Sequence, residues 1–387
     1  MSKTVFVLIL VQLLDAIGLG LLLPILPYYV QEFGAGPIEV TQLIAIYALG
    51  GLIFSPLAGF LSDRFGRKPI VIVTTIGAAL AYGGLIAAES LLAIFVARAI
   101  GGTMTSKAGV VNAWLIDAVS EEDRTRYLGL LGSMNGIGML AGPILASIVL
   151  ALSDGYYQAI FMFAAVLTGL AAILLFTVKD LHAPEKAEGE PSSNQHYRIA
   201  THFDIYLVNF FLFLGFSVIF STSAIYMQYT FNWEATTSGL AIGAMTGCIA
   251  AARVWVAPPW LSKFGSLRGT TIAGCIFGIG LVFATLSPQP LIFMPFYCIA
   301  AIAYAVAALG VTIVLAGEAP QEVRGTVMGF LTSTISAALV LGSATHGYFF
   351  ETLAPSVPFR IYGTLAFLTF VVWAFFRHRK QASEESA

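Results

Sequence analysis

The fold class the sequence predicts is all-α and integral to the membrane, with twelve transmembrane helices in two pseudo-symmetric six-helix bundles. Three observations predict it. The 387 residues are 58% hydrophobic and only 10% charged, whereas a soluble chain carries roughly a quarter charged residues. Twelve apolar runs approach or exceed the roughly 20 residues that cross a hydrocarbon layer about 30 Å thick. The halves also resemble each other at an offset of 200 positions. Leu61-Ser62 recurs as Leu261-Ser262, Arg124 as Arg324, Gly129 as Gly329 and Gly142 as Gly342.

Taken in order, the runs of the first half are 4–30, 41–61, 70–88, 91–117, 127–152 and 157–178. The first lacks a small-residue cleavage site before the next polar stretch and reads as a retained helix, not a signal peptide. The second ends in the basic loop Gly59–Lys68, the fourth carries Arg98 and Lys107, and the fifth carries a series of glycines ending in Pro143. Residues 179–204 follow, the longest polar stretch, rich in Pro, Glu and Ser and read as a cytoplasmic linker. The second half holds 205–229, 237–260, 270–286, 289–316, 325–350 and 359–376. The expected organisation is therefore an N-terminal bundle (1–178), a linker (179–204), a C-terminal bundle (205–376) and a cytoplasmic tail (377–387). Internal repeats of this type place a substrate site at the midplane between halves.

Cations set the orientation. With the N-terminus inside, cytoplasmic segments hold fifteen of the 19 Lys and Arg residues: Lys3, Arg64, Arg67, Lys68, Arg124, Arg126, Lys179, Lys186, Arg198, Lys263, Arg268, Arg324, Arg377, Arg379 and Lys380. Outside loops hold only Arg360, and both termini inside satisfies the positive-inside rule. The expected setting is a bacterial plasma (inner) membrane. The net charge of −2 offers no basic footprint for nucleic acid. Cys248, Cys275 and Cys298 lie singly in apolar runs, poorly placed for a disulfide framework or a metal site. No phosphate-binding GxxxxGK[ST] loop occurs, so the expected energy source is an ion gradient or the substrate's own gradient. No cofactor is expected.

Ionisable residues inside spans are costly, by about 2.5–3.5 kcal/mol for a central Asp, and are usually functional or paired. Asp15 lies near the centre of the first span. Low dielectric favours a neutral carboxyl and a neighbouring cation favours the ionised form, so such a group can exchange protons or form a static pair with Arg98 or Lys107. On an ideal helix the nine positions between those cations, at about 100° each, put them on opposite sides of the fourth span. Only one should meet Asp15 at a time. An ionised Lys107 in a cavity would favour an anionic or zwitterionic substrate, although its long side chain can instead snorkel to the interface. Arg253 in the eighth span is a third buried cation, lining a cavity or bonded to carbonyls. Asn135, Asn209 and Tyr304 sit deep enough to reach a cavity. His346 is expected to pack. In the loop GFLSDRFGRK, Asp63 stands among cations, where it can pair with Arg67 or meet a helix N-terminus; Asp117 is the nearest comparable acid.

That loop, Gly59 to Lys68, matches the G-x-L-a-D-R-x-G-R-k signature at every defining position, and here the chain resembles the major facilitator superfamily. Two further stretches narrow the resemblance: LDAIGLGLLLPILP (Leu14–Pro27) and the G-x8-G-x3-G-P series of Gly129, Gly138, Gly142 and Pro143. With Arg98-Ala-Ile-Gly-Gly102 they look like the twelve-helix drug–proton antiporters, most closely the tetracycline efflux proteins. The resemblance implies the major facilitator fold and a cytoplasmic gate of Asp63, Arg64, Arg67 and Asp117. On the reading of the residues above, Asp15 is expected to carry or gate the proton, with Arg98 or Lys107 as its competing partner in coupling. The resemblance makes the glycine–proline face of the fifth span a packing surface against the C-terminal half, consistent with small residues admitting a close helix. The chain departs from the pattern at Ala146-Ser147, where Gly-Gly is expected, in lacking acids within 70–88 and 270–286, and in PWLSKFGSLR, the second-half loop without an Asp.

The function expected is therefore secondary active transport, not catalysis: export of a small amphipathic compound in exchange for protons, by alternating access, from a bilayer-embedded protein able to work as a monomer. The same fold run in reverse, a proton-linked importer of an anionic metabolite or metal chelate, is the alternative. A membrane sensor would need an output domain, for which the linker and tail offer little room.

Overall fold

The computed structural model describes residues 2–120, 123–178, 199–286, 288–319 and 324–385. Most of the expected linker, 179–198, lies outside the described residues. The helices run α1 (Lys3–Gln31), α2 (Pro37–Phe65), α3 (Arg67–Ile86), α4 (Leu91–Met104), α5 (Lys107–Ala118), α6 (Arg124–Leu152) and α7 (Gln158–Phe176). They continue with α8 (Phe203–Phe231), α9 (Ala235–Ala251), α10 (Ala257–Phe264), α11 (Ser266–Ala284), α12 (Pro290–Glu318), α13 (Arg324–Thr352) and α14 (Val357–Glu385). No strand occurs among the described residues.

Each apolar run became helix because a backbone in hydrocarbon must satisfy its hydrogen bonds within the segment. Starts are marked by local chemistry. Ser2 Oγ accepts from Val5 N–H (3.3 Å) and Ser90 Oγ from Ala93 N–H (3.2 Å), while Pro37 occupies the first turn of α2, where an N–H would be unpaired anyway. Among the described residues, eleven segments are long and apolar enough to cross a membrane. The fourth span differs from expectation: α4 and α5, of 14 and 12 residues, share it. Between them Thr105, Ser106 and Ala108 donate to carbonyls three residues back, at Gly102, Thr103 and Thr105, which tightens the turn and interrupts the regular ladder. The eighth span bulges through the π-turn Ala252–Val256. At the C-terminus, α14 continues through the stretch expected to be a tail and ends at Glu385.

The chain divides into two compact units, Met1–Ser193 with Trp233–Gly243, and Asn194–Asn232 with Ala244–Ala387. Within the first, α1 packs on α6 and α7, α3 on α7, and α2 on α4. The second repeats the scheme: α8 on α13, α11 on α14, and α11 on α12. The tight turn before the third helix of each unit recurs as well, with Gly66 at φ 94° and Gly265 at φ 79°, conformations that glycine tolerates and side chains resist. The segment Trp233–Gly243 is tied to the rest of the first unit by Tyr28 Oη, which donates to the Trp233 carbonyl (2.8 Å) and meets Ser238 Oγ at 2.7 Å. Ser147 Oγ donates to the Thr236 carbonyl (3.0 Å). One apolar cluster of the first unit gathers Leu8, Val11, Val71, Val110, Trp114 and Leu175. Outward-facing Leu80, Leu92, Leu152 and Leu291 are 69–87% exposed, the apolar exterior that lipid accommodates and water does not.

Candidate functional site

The first unit holds a cavity of about 160 Å³ whose walls come from the seven helices α1 to α7 and the α4–α5 junction. Its space exists because Ala78, Ala81, Ala97, Gly101 and Ala108 present little side chain. Its polar groups are brought in by close helix crossings. A Cβ at Gly50 would lie 2.7 Å from Thr103 N, so α2 and α4 approach backbone to backbone, the packing that small residues allow in lipid. That approach sets the Tyr47 ring against Arg98, whose guanidinium carbon stands 4.0 Å from the ring centroid.

Asp15, in the middle of α1, pairs with Lys107 at the start of α5. Lys107 Nζ lies 2.8 Å from both carboxylate oxygens and 3.3 Å from Thr75 Oγ1. Of the two expected partners the structure selects Lys107. Arg98 nevertheless lines the same cavity, which overturns the expectation that the two cations face opposite ways. The reason is the interruption at Thr105–Ser106, across which a constant 100° per residue no longer holds. Among the described residues Arg98 has no carboxylate partner. Its Nε is buried without a hydrogen bond, as is Oγ1 of Thr168, another residue of the cavity wall. Gln12 Nε2 donates to Asn135 Oδ1 (3.0 Å), and both line the cavity.

A second constellation forms where α2 turns into α3. Arg67 Nη1 lies 2.7 Å from Asp63 Oδ1 and donates to Ser62 Oγ (2.7 Å), while its Nε donates to Asp117 Oδ2 at the end of α5 (3.3 Å). Gly66 makes this possible by reversing the chain within one residue. Arg64 stays outside the cluster, its guanidinium 5.5 Å from the neighbouring Phe65 ring.

The glycines of α6 divide. A Cβ at Gly138 would lie 2.5 Å from Ala16 Cβ, and one at Gly142 2.5 Å from Gly20 Cα. These two pack against α1 of their own unit, not against the C-terminal half as expected. Gly129 has nothing within 4 Å. Pro143 stays within a continuous α6; its Cδ would lie 3.3 Å from a Cβ at Gly20, and its carbonyl oxygen 3.2 Å from a Cβ at Gly239 of α9, so here the face does meet a helix from the second half of the sequence, as expected. In the second unit, Asn209 is buried and donates to the Leu331 carbonyl (3.2 Å) and Thr334 Oγ1 (2.8 Å), joining α8 to α13. Tyr304 stacks on Phe216, centroids 4.0 Å apart. Both are occupied in packing. Arg253, expected to line a cavity or bond to carbonyls, lies on the π-turn with its side chain exposed. His346 is buried and bonded to Ser221 Oγ at 2.8 Å.

Tyr47, Thr75, Tyr82 and Thr168 escaped the sequence reading. Thr75 and Thr168 are polar residues inside strongly apolar runs, a signal that was available; the tyrosines resemble ordinary interface anchors until their partners are known.

Comparison with known proteins agrees with this architecture. The family model for the Major Facilitator Superfamily matches residues 8–254 and 205–387. Tetracycline resistance protein, class E, of Escherichia coli is 27% identical, over 91% of this chain and 89% of that protein. Tetracycline resistance protein, class C, also of Escherichia coli, is 31% identical, over 67% of this chain and 68% of that protein. The crystal structure of the nucleoside transporter NupG superposes with a TM-score of 0.74 at 15% identity, covering 97% and 98% of the two chains, a likeness of fold. With both halves matched, this chain belongs to the Major Facilitator Superfamily.

Proposed function

We propose that this protein exports a small amphipathic compound or drug in exchange for protons, by alternating access, in the inner membrane of a bacterium with both termini cytoplasmic. The observation that carries this reading is the Asp15–Lys107 ion pair at 2.8 Å in a cavity wall. An ionised Asp15 holds Lys107. A proton arriving on the carboxylate cancels the attraction and frees the ammonium, so proton occupancy and the state of the cavity are linked through one contact. The relatives named for tetracycline resistance, and the multidrug resistance protein 1 of Bacillus subtilis at 24% identity, support export as the direction. The Asp63–Arg67–Asp117 cluster acts as a cytoplasmic gate that forms and breaks once per cycle. The monomer is the working unit.

The unpaired Arg98 favours one second reading, proton-linked import of an anion on the same fold. Everted vesicles holding an acid interior reported by a pH-sensitive acridine dye separate the two. Fluorescence recovery when candidate drugs are added outside means antiport and export. Recovery only when anions are loaded inside means symport and rejects the export reading.

A further inference from the structure

Two residues that line one cavity each carry a buried polar atom without a partner, and one of them is a cation. Arg98 is 5% exposed and Thr168 1% exposed, yet Arg98 Nε and Thr168 Oγ1 lack hydrogen bonds, where roughly nine in ten buried polar groups have one. They are not scattered, for both line the cavity of the first unit. The Tyr82 hydroxyl lies beside Thr168: a Cβ at Gly18 would stand 3.1 Å from Tyr82 Oη and 3.6 Å from Thr168 Oγ1. Arg98 can only donate, and the Thr168 and Tyr82 hydroxyls can donate as well as accept, so the ligand group that suits all three is an acceptor.

Charge sharpens the requirement. Lys107 and Asp15 neutralise each other, so Arg98 leaves the cavity with one uncompensated positive charge, balanced only by the face of Tyr47 at 4.0 Å. Water can fill hydrogen bonds but does not cancel a charge at membrane depth. An oxyanion does both, and a guanidinium suits a planar carboxylate through two parallel bonds. The remaining wall is apolar or aromatic, with Leu19, Leu85 and Met104 beside Tyr47, a surface for a flat ring. At about 160 Å³ the space is smaller than the roughly 300–1,000 Å³ of sites for whole drug-sized ligands, so it admits a fragment.

We propose that this cavity is a subsite for the ionised oxygen group of a flat-ringed ligand, an aryl carboxylate or enolate. Arg98 donates to the oxyanion, the neighbouring Thr168 and Tyr82 hydroxyls donate to it as well, and the ring lies against Tyr47. This rests on the transport reading above for the ligand's role as cargo, and names its chemical class whichever way the cargo moves.

The test is equilibrium binding to the purified full-length protein in detergent, using 2-naphthoate, its neutral isostere 2-naphthamide and the cation 2-naphthylmethylammonium. The expected result is naphthoate binding at least about tenfold tighter than naphthamide, with the ammonium weakest, since bonds to charged groups are worth roughly one to two decades in affinity. Arg98→Gln should lower naphthoate affinity about tenfold to a hundredfold and naphthamide affinity clearly less, and Thr168→Val should lower naphthoate affinity severalfold. Equal binding of acid and amide, no saturable naphthoate binding, or an Arg98→Gln variant that binds naphthoate normally overturns the proposal. If Arg98→Gln does not purify as a monodisperse protein, the wild-type comparison of acid, amide and ammonium decides alone. Failure of the transport reading looks different: naphthoate binds selectively, but no compound moves protons in the vesicle assay.

Discussion

Replacing Lys107 by Met should destabilise the first unit by about 3 kcal/mol, and replacing Asp15 in the same chain should recover most of that loss. The 2.8 Å contact corresponds to about 6 kcal/mol of attraction at an effective dielectric of about 20. Desolvation of both charges offsets most of this, so the intact pair is worth little compared with an apolar pair of similar volume. Removing one partner is another matter, because an uncompensated buried charge costs about 3–5 kcal/mol. Asp15 keeps 20% of its side-chain surface exposed, which puts Lys107→Met at the lower end. Asp15→Asn should cost less, about 1–2 kcal/mol, since the amide oxygen still accepts from Lys107 and Thr75 stays within 3.3 Å. The double variant should lie within about 1 kcal/mol of wild type, a coupling of about 3–5 kcal/mol between the sites. Unfolding by SDS titration in mixed micelles, followed by far-ultraviolet circular dichroism on all four proteins, measures the cycle. Additive losses, with coupling below about 0.5 kcal/mol, would show that the two side chains do not depend on each other and remove the basis for a proton-sensitive pair.

Three further outcomes are expected. Gly142→Ala should cost about 1–3 kcal/mol, because its Cβ meets the Gly20 backbone at 2.5 Å, whereas Gly129→Ala, with open space, should be neutral or stabilising by up to about 1 kcal/mol; thermal melts of the two variants check this. Asp117→Asn should change stability by less than about 1 kcal/mol, its partner being partly exposed, and yet slow turnover; an unaltered initial rate in everted vesicles rejects the gate. Asn209→Ala should lose about 1–3 kcal/mol of stability without changing substrate affinity, which a binding titration on the purified variant reads directly.

Much of the fold was legible because hydrocarbon imposes a length. A run of apolar residues long enough to span reads as a helix whatever its neighbours, and the basic loop at Arg64–Lys68 and the polar stretch after Val178 mark the ends. The break at Thr105–Ser106 was not legible. Thr and Ser are tolerated in membrane helices, and only the carbonyls they meet three residues back reveal the tighter turn. That local change propagated to the site, since it decides where Lys107 points relative to Arg98. The glycines of α6 show a different limit: their spacing announced a close approach, but Gly129 and Gly142 look alike in sequence and differ only in what the folded chain places opposite. Asp63, Arg67 and Asp117 were legible together because two of the three sit one turn apart across a glycine, a short-range geometry. The pairing of Tyr47 with Arg98 depends on α2 crossing α4 at Gly50 and Gly102, a tertiary fact no local pattern encodes.

The most direct test of the central claim separates exchange from coupling in proteoliposomes containing the Asp15→Asn variant. Once a transported compound is identified, unlabelled substrate is loaded inside and labelled substrate added outside, with and without an imposed pH gradient. Wild type should show both counterflow and gradient-driven accumulation. Asp15→Asn should retain counterflow, since the cavity and helices persist, and lose all dependence on the gradient. Gradient-driven accumulation in that variant equal to wild type would contradict the assignment of proton coupling to the Asp15–Lys107 pair.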